Sequence, residues 1–177
     1  MKIKAKSKFN YKTIKAFTRT ELFRKSNPLK KMATYCLISV LLVAVLLLEM
    51  FLLGPDVVPV VLLIVSILML LLELYMYFVF PRIRYNALGQ MKGAVHEFVF
   101  QDDSFQVSTS DNGYKGESHI DYDVLFKVIE TSNYLYIFQN KTQALIVDKS
   151  TISGGTYLEL RQVLQPILGE RYVIYKY

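Results

Sequence analysis

Two apolar runs dominate the hydrophobic pattern of this chain. "MATYCLISVLLVAVLLLEMFLL" covers residues 32–53, and "VVPVVLLIVSILMLLLELYMYFVF" covers residues 57–80. A helix needs about 20 predominantly apolar residues to cross a bilayer core, and both runs reach that length. Gly54, Pro55 and Asp56 between them break a helix, so the link predicts an antiparallel helical hairpin. Pro59 falls in the first turn of the second helix, where its missing N–H does no harm. Downstream the period changes to two. Segments 95–100, 104–109, 114–122, 124–130, 134–139 and 143–148 read as six strands. The turns between them carry Asp102-Asp103, Asn112-Gly113, Ser132-Asn133 and Asn140-Lys141, and sequential strands with short turns predict an antiparallel meander. A helical period then returns. Thr156-x-x-Glu159 after Gly154-Gly155 makes a capping box, and Tyr157, Leu160, Leu164, Ile167 and Leu168 share one stripe. The expected fold is a membrane α-helical hairpin plus a mainly-β cytoplasmic domain. That domain is expected as an antiparallel curved sheet or partly open barrel with a C-terminal capping helix.

The opening "MKIKAKSKF" also has period two. Lys2, Lys4, Lys6 and Lys8 fall on one face, and Ile3, Ala5, Ser7 and Phe9 on the other. This predicts a strand or extended arm that packs its apolar side on the cytoplasmic domain. Residues 12–25 read as a short juxtamembrane helix with Ile14, Phe17 and Glu21 on one face, ended by Asn27-Pro28. The organisation is therefore a basic arm and juxtamembrane helix over 1–31, two transmembrane helices over 32–80, and a β-domain over 81–177.

Charge changes the picture in one respect. The net charge is +6, but residues 1–31 hold eleven Lys or Arg against one acid, and the remainder holds ten against fourteen. The basic character belongs to a short segment, which argues against a nucleic-acid partner, whose basic patch would lie on the fold. Eleven basic residues before the first span, Arg82, Arg84 and Lys92 after the second, and none in the turn place both termini in the cytoplasm. Beside an anionic inner leaflet, Lys2, Lys4, Lys6, Lys8, Lys30, Lys31, Arg82 and Arg84 are the candidate lipid contacts.

Chemistry is sparse. Between Met32 and Phe80 the only charged residues are Glu49, Asp56 and Glu73. An ionisable group inside a span is a functional candidate, and Glu73 falls level with Tyr35, Cys36 and Ser39 of the first helix. Its expected roles are a polar contact to Tyr35 or Ser39, a contact with another copy, or ion handling. Cys36 is the single cysteine, so disulfides within the chain and Cys-x-x-Cys metal sites are excluded. His96 and His119 read as partly exposed strand residues without metal-ligand spacing. Asp102, Asp103, Asp121 and Asp123 read as turn residues. Gly154-Gly155 lacks the Gly-Lys-Ser/Thr ending of a phosphate loop. Tyr114, Tyr122, Tyr134 and Tyr136 are expected to pack in the sheet with hydroxyls at its rim. No enzyme, cofactor or metal is expected.

The order of motifs resembles the YcxB-like family of bacterial membrane proteins. The residues that carry it are Ile120 and Tyr122, then Lys127, Val128, Glu130 and Thr131, then Tyr134 and Tyr136, and Lys149 ending an apolar strand. The resemblance covers about residues 30–165 and implies a PH-like domain behind a two-helix anchor. It implies no established activity. The expected function is a non-catalytic, membrane-tethered binding module of the bacterial inner membrane, whose cytoplasmic domain recognises a protein, peptide or lipid head group. The alternative is a small accessory subunit of a transporter or envelope complex, assembled through the transmembrane helices with a protein partner or a second copy.

Overall fold

A helix that starts at Asn27-Pro28 needs no further signal. The Asn27 side chain accepts the N–H groups of Leu29 and Lys30 at 3.0 and 3.3 Å, and proline occupies the first turn. The computed structural model describes residues 2–23, 27–54, 56–111 and 114–175, without the side chains of Asp111, Tyr114 and Lys115. Two compact units divide it: Thr18–Arg84, and Met1–Phe17 together with Tyr85–Tyr177.

In the first of these units, helix α2 spans Pro28–Leu53 and α3 spans Val57–Leu74. The first helix begins four residues before its apolar run. The second continues past its expected end at Phe80, through a π-helical turn at Tyr75–Val79 and helix α4, Phe80–Asn86. Pro81 explains the wide turn. It cannot donate to the carbonyl four residues back, at Tyr77, and its ring crowds that oxygen. The N–H of Phe80 instead bonds to Tyr75, and the Tyr77 carbonyl accepts Nη2 of Arg19 at 3.4 Å. The Arg19 guanidinium also lies 3.6 Å from the centre of the Tyr77 ring. The two helices pack on each other but leave most of their apolar surface bare, with Phe51 at 85% and Leu53 at 82% exposed. They are long and apolar enough to cross a membrane.

The other unit holds eight described strands, helix α5 (Tyr157–Leu168) and the part of helix α1 (Tyr11–Leu22) up to Phe17. The strands are β1 Ile3–Lys8, β2 Val95–Phe100, β3 Ser104–Asp111, β4 Tyr114–Asp121, β5 Lys127–Glu130, β6 Tyr134–Phe138, β7 Ala144–Asp148 and β8 Tyr172–Ile174. One sheet has the order β1-β2-β3-β4 and is antiparallel throughout. The other has the order β7-β6-β5-β8.

This corrects the expected single meander. The chain leaves the first sheet after β4 and enters the second at β5 without pairing the two strands. The strand expected from residue 124 starts at Lys127, because Tyr122 and Leu125 both turn fully into the core. That spacing of three is not a strand's, and the Leu125 N–H bonds to the Tyr122 carbonyl. Strand β8 was not expected at all. It is three residues long and runs parallel to β5. The result is not a closed barrel. The Asn112-Gly113 turn lies outside the described residues, as do Arg24 and Lys25 at the expected end of the first helix.

Each face of the second sheet has its own cover. Val128, Leu135, Ile137 and Val147 point into a core shared with Ile3, Phe98, Phe100 and Phe105 of the first sheet and Leu160, Leu164 and Leu168 of α5. Ile129, Tyr134, Tyr136, Phe138 and Ile146 point the other way, against Ile14 and Phe17 of α1. Strand β6 is consequently buried at all five positions.

The lysine-rich opening forms β1 as expected. Ile3, Ala5 and Ser7 are buried and Lys2, Lys4, Lys6 and Lys8 are exposed. Phe9 is only half-buried, with its ring edge-on to His96 at 4.7 Å. The outer edge of β1 is covered too. Lys4 and Ser153 exchange two backbone hydrogen bonds of 2.8 Å, and Thr151 Oγ1 both accepts from the Lys6 N–H and donates to its carbonyl. The close approach explains Gly154-Gly155. A Cβ on Gly154, whose φ is +75°, would lie 2.8 Å from the Lys2 carbonyl oxygen, and one on Gly155 would lie 2.8 Å from Ile3 Cγ1.

Gly155→Ala should therefore push Ile3 outward and destabilise the β-domain by about 1–3 kcal/mol. The measurement is thermal unfolding of the intact protein in detergent together with amide exchange over residues 3–8, which should accelerate. Replacing the four lysines by Gln should leave both nearly unchanged, since exposed charges add little.

Candidate functional site

Alternation along β5 sends Val128 and Glu130 to the same face, so a carboxylate enters the core side of the sheet at its end. Glu130 is 2% exposed. Groups from three other places meet it. Arg161 of α5 donates through Nε to Oε2 at 2.8 Å and through Nη2 to Oε1, forming a two-pronged pair. Lys149, just after β7, donates to Oε1 at 2.7 Å, and the Tyr172 hydroxyl of β8 donates to Oε2 at 2.6 Å. Burial alone pushes the Glu130 carboxyl up. The hydrogen bonds from Arg161, Lys149 and Tyr172 outweigh it and hold the pKa at about 2. Burial and the neighbouring carboxylate push the Tyr172 phenol well above its usual range.

This network forms the wall of a cleft. One recess of about 350 Å³ is lined by Glu130, Thr131, Lys149, Arg161 and Tyr175 among others, and an adjoining one of about 550 Å³ by Lys12, Asn133, Tyr134, Asp148 and Ser150. They share Ser132, Lys149 and Tyr157. The Lys149 ammonium lies 4.4 Å from the centre of the Tyr157 ring, so the ring roofs the cation. Asp148 is committed locally, accepting from the N–H and hydroxyl of Ser150 at 2.9 and 2.7 Å. Glu130 uses one edge of the Arg161 fork. Nη1 of Arg161 and the ammonium of Lys12 have no hydrogen-bond partner among the described residues. Three cations against two carboxylates leave the cleft with surplus positive charge and spare donors. Charge and donors of this kind suit an anionic group.

Residues 100–164 match the YcxB-like protein family. No curated protein and no solved structure matches the chain. The YcxB-like stretch runs from the last residue of β2 into α5 and includes Glu130, Lys149 and Arg161. Tyr172 and Lys12 lie outside it. Two motif positions quoted from the sequence, Glu130 and Lys149, thus converge on one ion network. A third, Tyr122, is fully buried and donates its hydroxyl to the Gln101 carbonyl at 2.9 Å, and burial raises its pKa. Tyr134 and Tyr136 stack with ring centres 5.9 Å apart. The side chain of Tyr114 lies outside the described ones.

The residues singled out from sequence fall elsewhere. Ser39 Oγ lies 3.4 and 3.5 Å from the two Glu73 oxygens across the hairpin. Tyr35 instead has the Lys31 ammonium 5.9 Å from its ring centre. Lys30 and Arg82 are exposed and Lys31 is partly exposed, whereas Arg84 is ion-paired with Glu21. Lys6 makes an exposed pair with Glu97 at 2.6 Å. His119 is exposed, but His96 is buried at 7%, against the expected partial exposure. It stands on the inner face of β2 with Phe98 and Phe100, and burial lowers its pKa. The cation wall escaped the sequence reading. Its signal was a glutamate two places after Val128 on the inward face of a strand.

The low pKa of Glu130 links stability to pH. An unfolded glutamate titrates near pH 4.5, so the stabilisation is complete above that value and is lost as pH falls through about 2. The loss should amount to about 3 kcal/mol. Unfolding of the intact protein between pH 5 and pH 2 should show it, and Glu130→Gln should be less stable at neutral pH and flatter over this window.

Proposed function

We propose that the chain is a non-catalytic, membrane-anchored binding module of the bacterial inner membrane, whose β-domain captures an anionic group on a partner or lipid. The cleft walled by Lys12, Lys149 and Arg161 carries this reading, because it offers unspent donors and surplus positive charge against the aromatic face of Tyr157. A phosphate-bearing group fits that chemistry. Two sheets sharing a core with a C-terminal helix are compatible with a PH-like domain. The bare apolar surfaces of α2 and α3 support anchoring.

A second reading, an accessory subunit that assembles through its helices, rests on Glu73. Its contact with Ser39 of the same chain already gives that carboxylate a partner, so the binding module is preferred.

The cleft is tested with the intact protein in nanodiscs of neutral lipid, titrated with glycerophosphoglycerol and followed by NMR. Shifts should centre on Ser132, Lys149 and Tyr157, and Lys12→Glu should weaken binding by about tenfold, as expected for reversing one cation at the site. Shifts spread over the whole surface would contradict the reading. Comparison with nanodiscs containing phosphatidylglycerol separates a lipid-borne group from a free one.

Topology gives an independent outcome. Reporter fusions at residues 56 and 177 should report opposite sides of the membrane, with the C-terminal one cytoplasmic. Both on one side would rule out the hairpin anchor.

A further inference from the structure

A β-sheet edge of eight residues is a template for another strand unless something covers or interrupts it. The edges of the two sheets differ in this respect. The outer edge of β1 is bonded by Thr151 and Ser153, and β8 is only three residues long. Strand β4 pairs with β3 in unbroken register from Ser104–Asp121 to Asp111–Tyr114, and no described strand pairs with its other side. It contains no proline and no bulge. Beyond its end, Val124 and Phe126 are 65% and 41% exposed.

The sequence of β4, "YKGESHID", is charge-complementary to itself. Turned antiparallel about Ser118, it sets Lys115 opposite Asp121 and Glu117 opposite His119, and Ser118 opposite its own copy. All four charged or titratable positions have the same parity, and Glu117, His119 and Asp121 are exposed. Directly opposed residues in an antiparallel pair share a face, so the two Glu117–His119 contacts would lie together on the solvent side. Asp121 already lies 3.6 Å from Nε2 of His119 in its own strand, which places it on that side. The neighbouring two-fold registers fail. Centring on Glu117 sets that carboxylate against itself, and centring on His119 sets Glu117 against Asp121. Like charges directly opposed are destabilising.

We propose that two copies of this chain associate through β4, antiparallel about Ser118, and join their β1-β2-β3-β4 sheets into one continuous sheet. The occupant of the free edge is a second copy of the same strand. The register is selected by charge rather than by shape.

The test is disulfide trapping of the full chain in native membranes, with Cys36→Ser as background. Ser118→Cys lies on the proposed axis and should oxidise readily to a dimer, while Gln90→Cys, at an exposed position elsewhere, should not. Adding Asp121→Lys to Ser118→Cys should reduce trapping by about tenfold, because two symmetry-related pairs turn repulsive. Adding Lys115→Asp as well should restore it, which excludes misfolding as the cause. The proposal is overturned if Ser118→Cys traps no better than Gln90→Cys. It is equally overturned if Asp121→Lys leaves trapping unchanged, as for a dimer held through the apolar helices, or if the double exchange does not recover it.

Discussion

A carboxylate taken out of water must be neutralised where it stands, and Glu130 is neutralised by groups from three other parts of the fold. Strand β5 supplies the acid, the end of β7 supplies Lys149, α5 supplies Arg161 and β8 supplies Tyr172. Removing any one partner leaves charge or a hydroxyl unmatched in a poorly solvated place. The arrangement therefore fixes the approach of α5 to the second sheet and ties β8 to β5, beyond what apolar packing specifies. It also holds Lys149 and Arg161 in one orientation, with their remaining donors turned toward the cleft. A preorganised cation wall loses little freedom when an anion arrives.

The second constraint comes from the opposite end of the chain. Strand β1 completes the first sheet and places Ile3 at 0% exposure in the shared core. It docks on Gly154-Gly155 because no side chain fits there. The same two glycines precede α5, which carries Arg161. Closure of the N-terminal strand and placement of the cation wall thus depend on one short segment, Ser153 to Thr156.

Much of this was legible in the sequence. The apolar helices, the alternation of β1 and the helix start capped by Thr156 follow local rules of length, period and side-chain hydrogen bonding, and they formed as expected. The crossover at Tyr122–Leu125 was not legible, because Val124-Leu125-Phe126 looks like the start of a strand until Tyr122 and Leu125 both turn inward. Strand β8 was hidden for a different reason. Three residues carry no period, and a parallel partner leaves no hairpin turn to read. The Glu130 network involves residues 19, 31 and 42 positions apart in sequence, and such distances are set only by tertiary packing. Glu130 and Lys149 were recognisable as motif positions, but Arg161 and Tyr172 read only as parts of an amphipathic helix and a C-terminal tail.

The account stands or falls on whether the wall held by Glu130 receives an anion. Crystals of the intact protein soaked in tungstate give the most direct measurement, since anomalous scattering locates the anion without assumptions about its biological source. The account predicts a tungstate bound within hydrogen-bonding distance of Lys149 Nζ and Arg161 Nη1, beside Tyr157, and its loss in crystals of Arg161→Met. An empty cleft in crystals that bind tungstate elsewhere would contradict it.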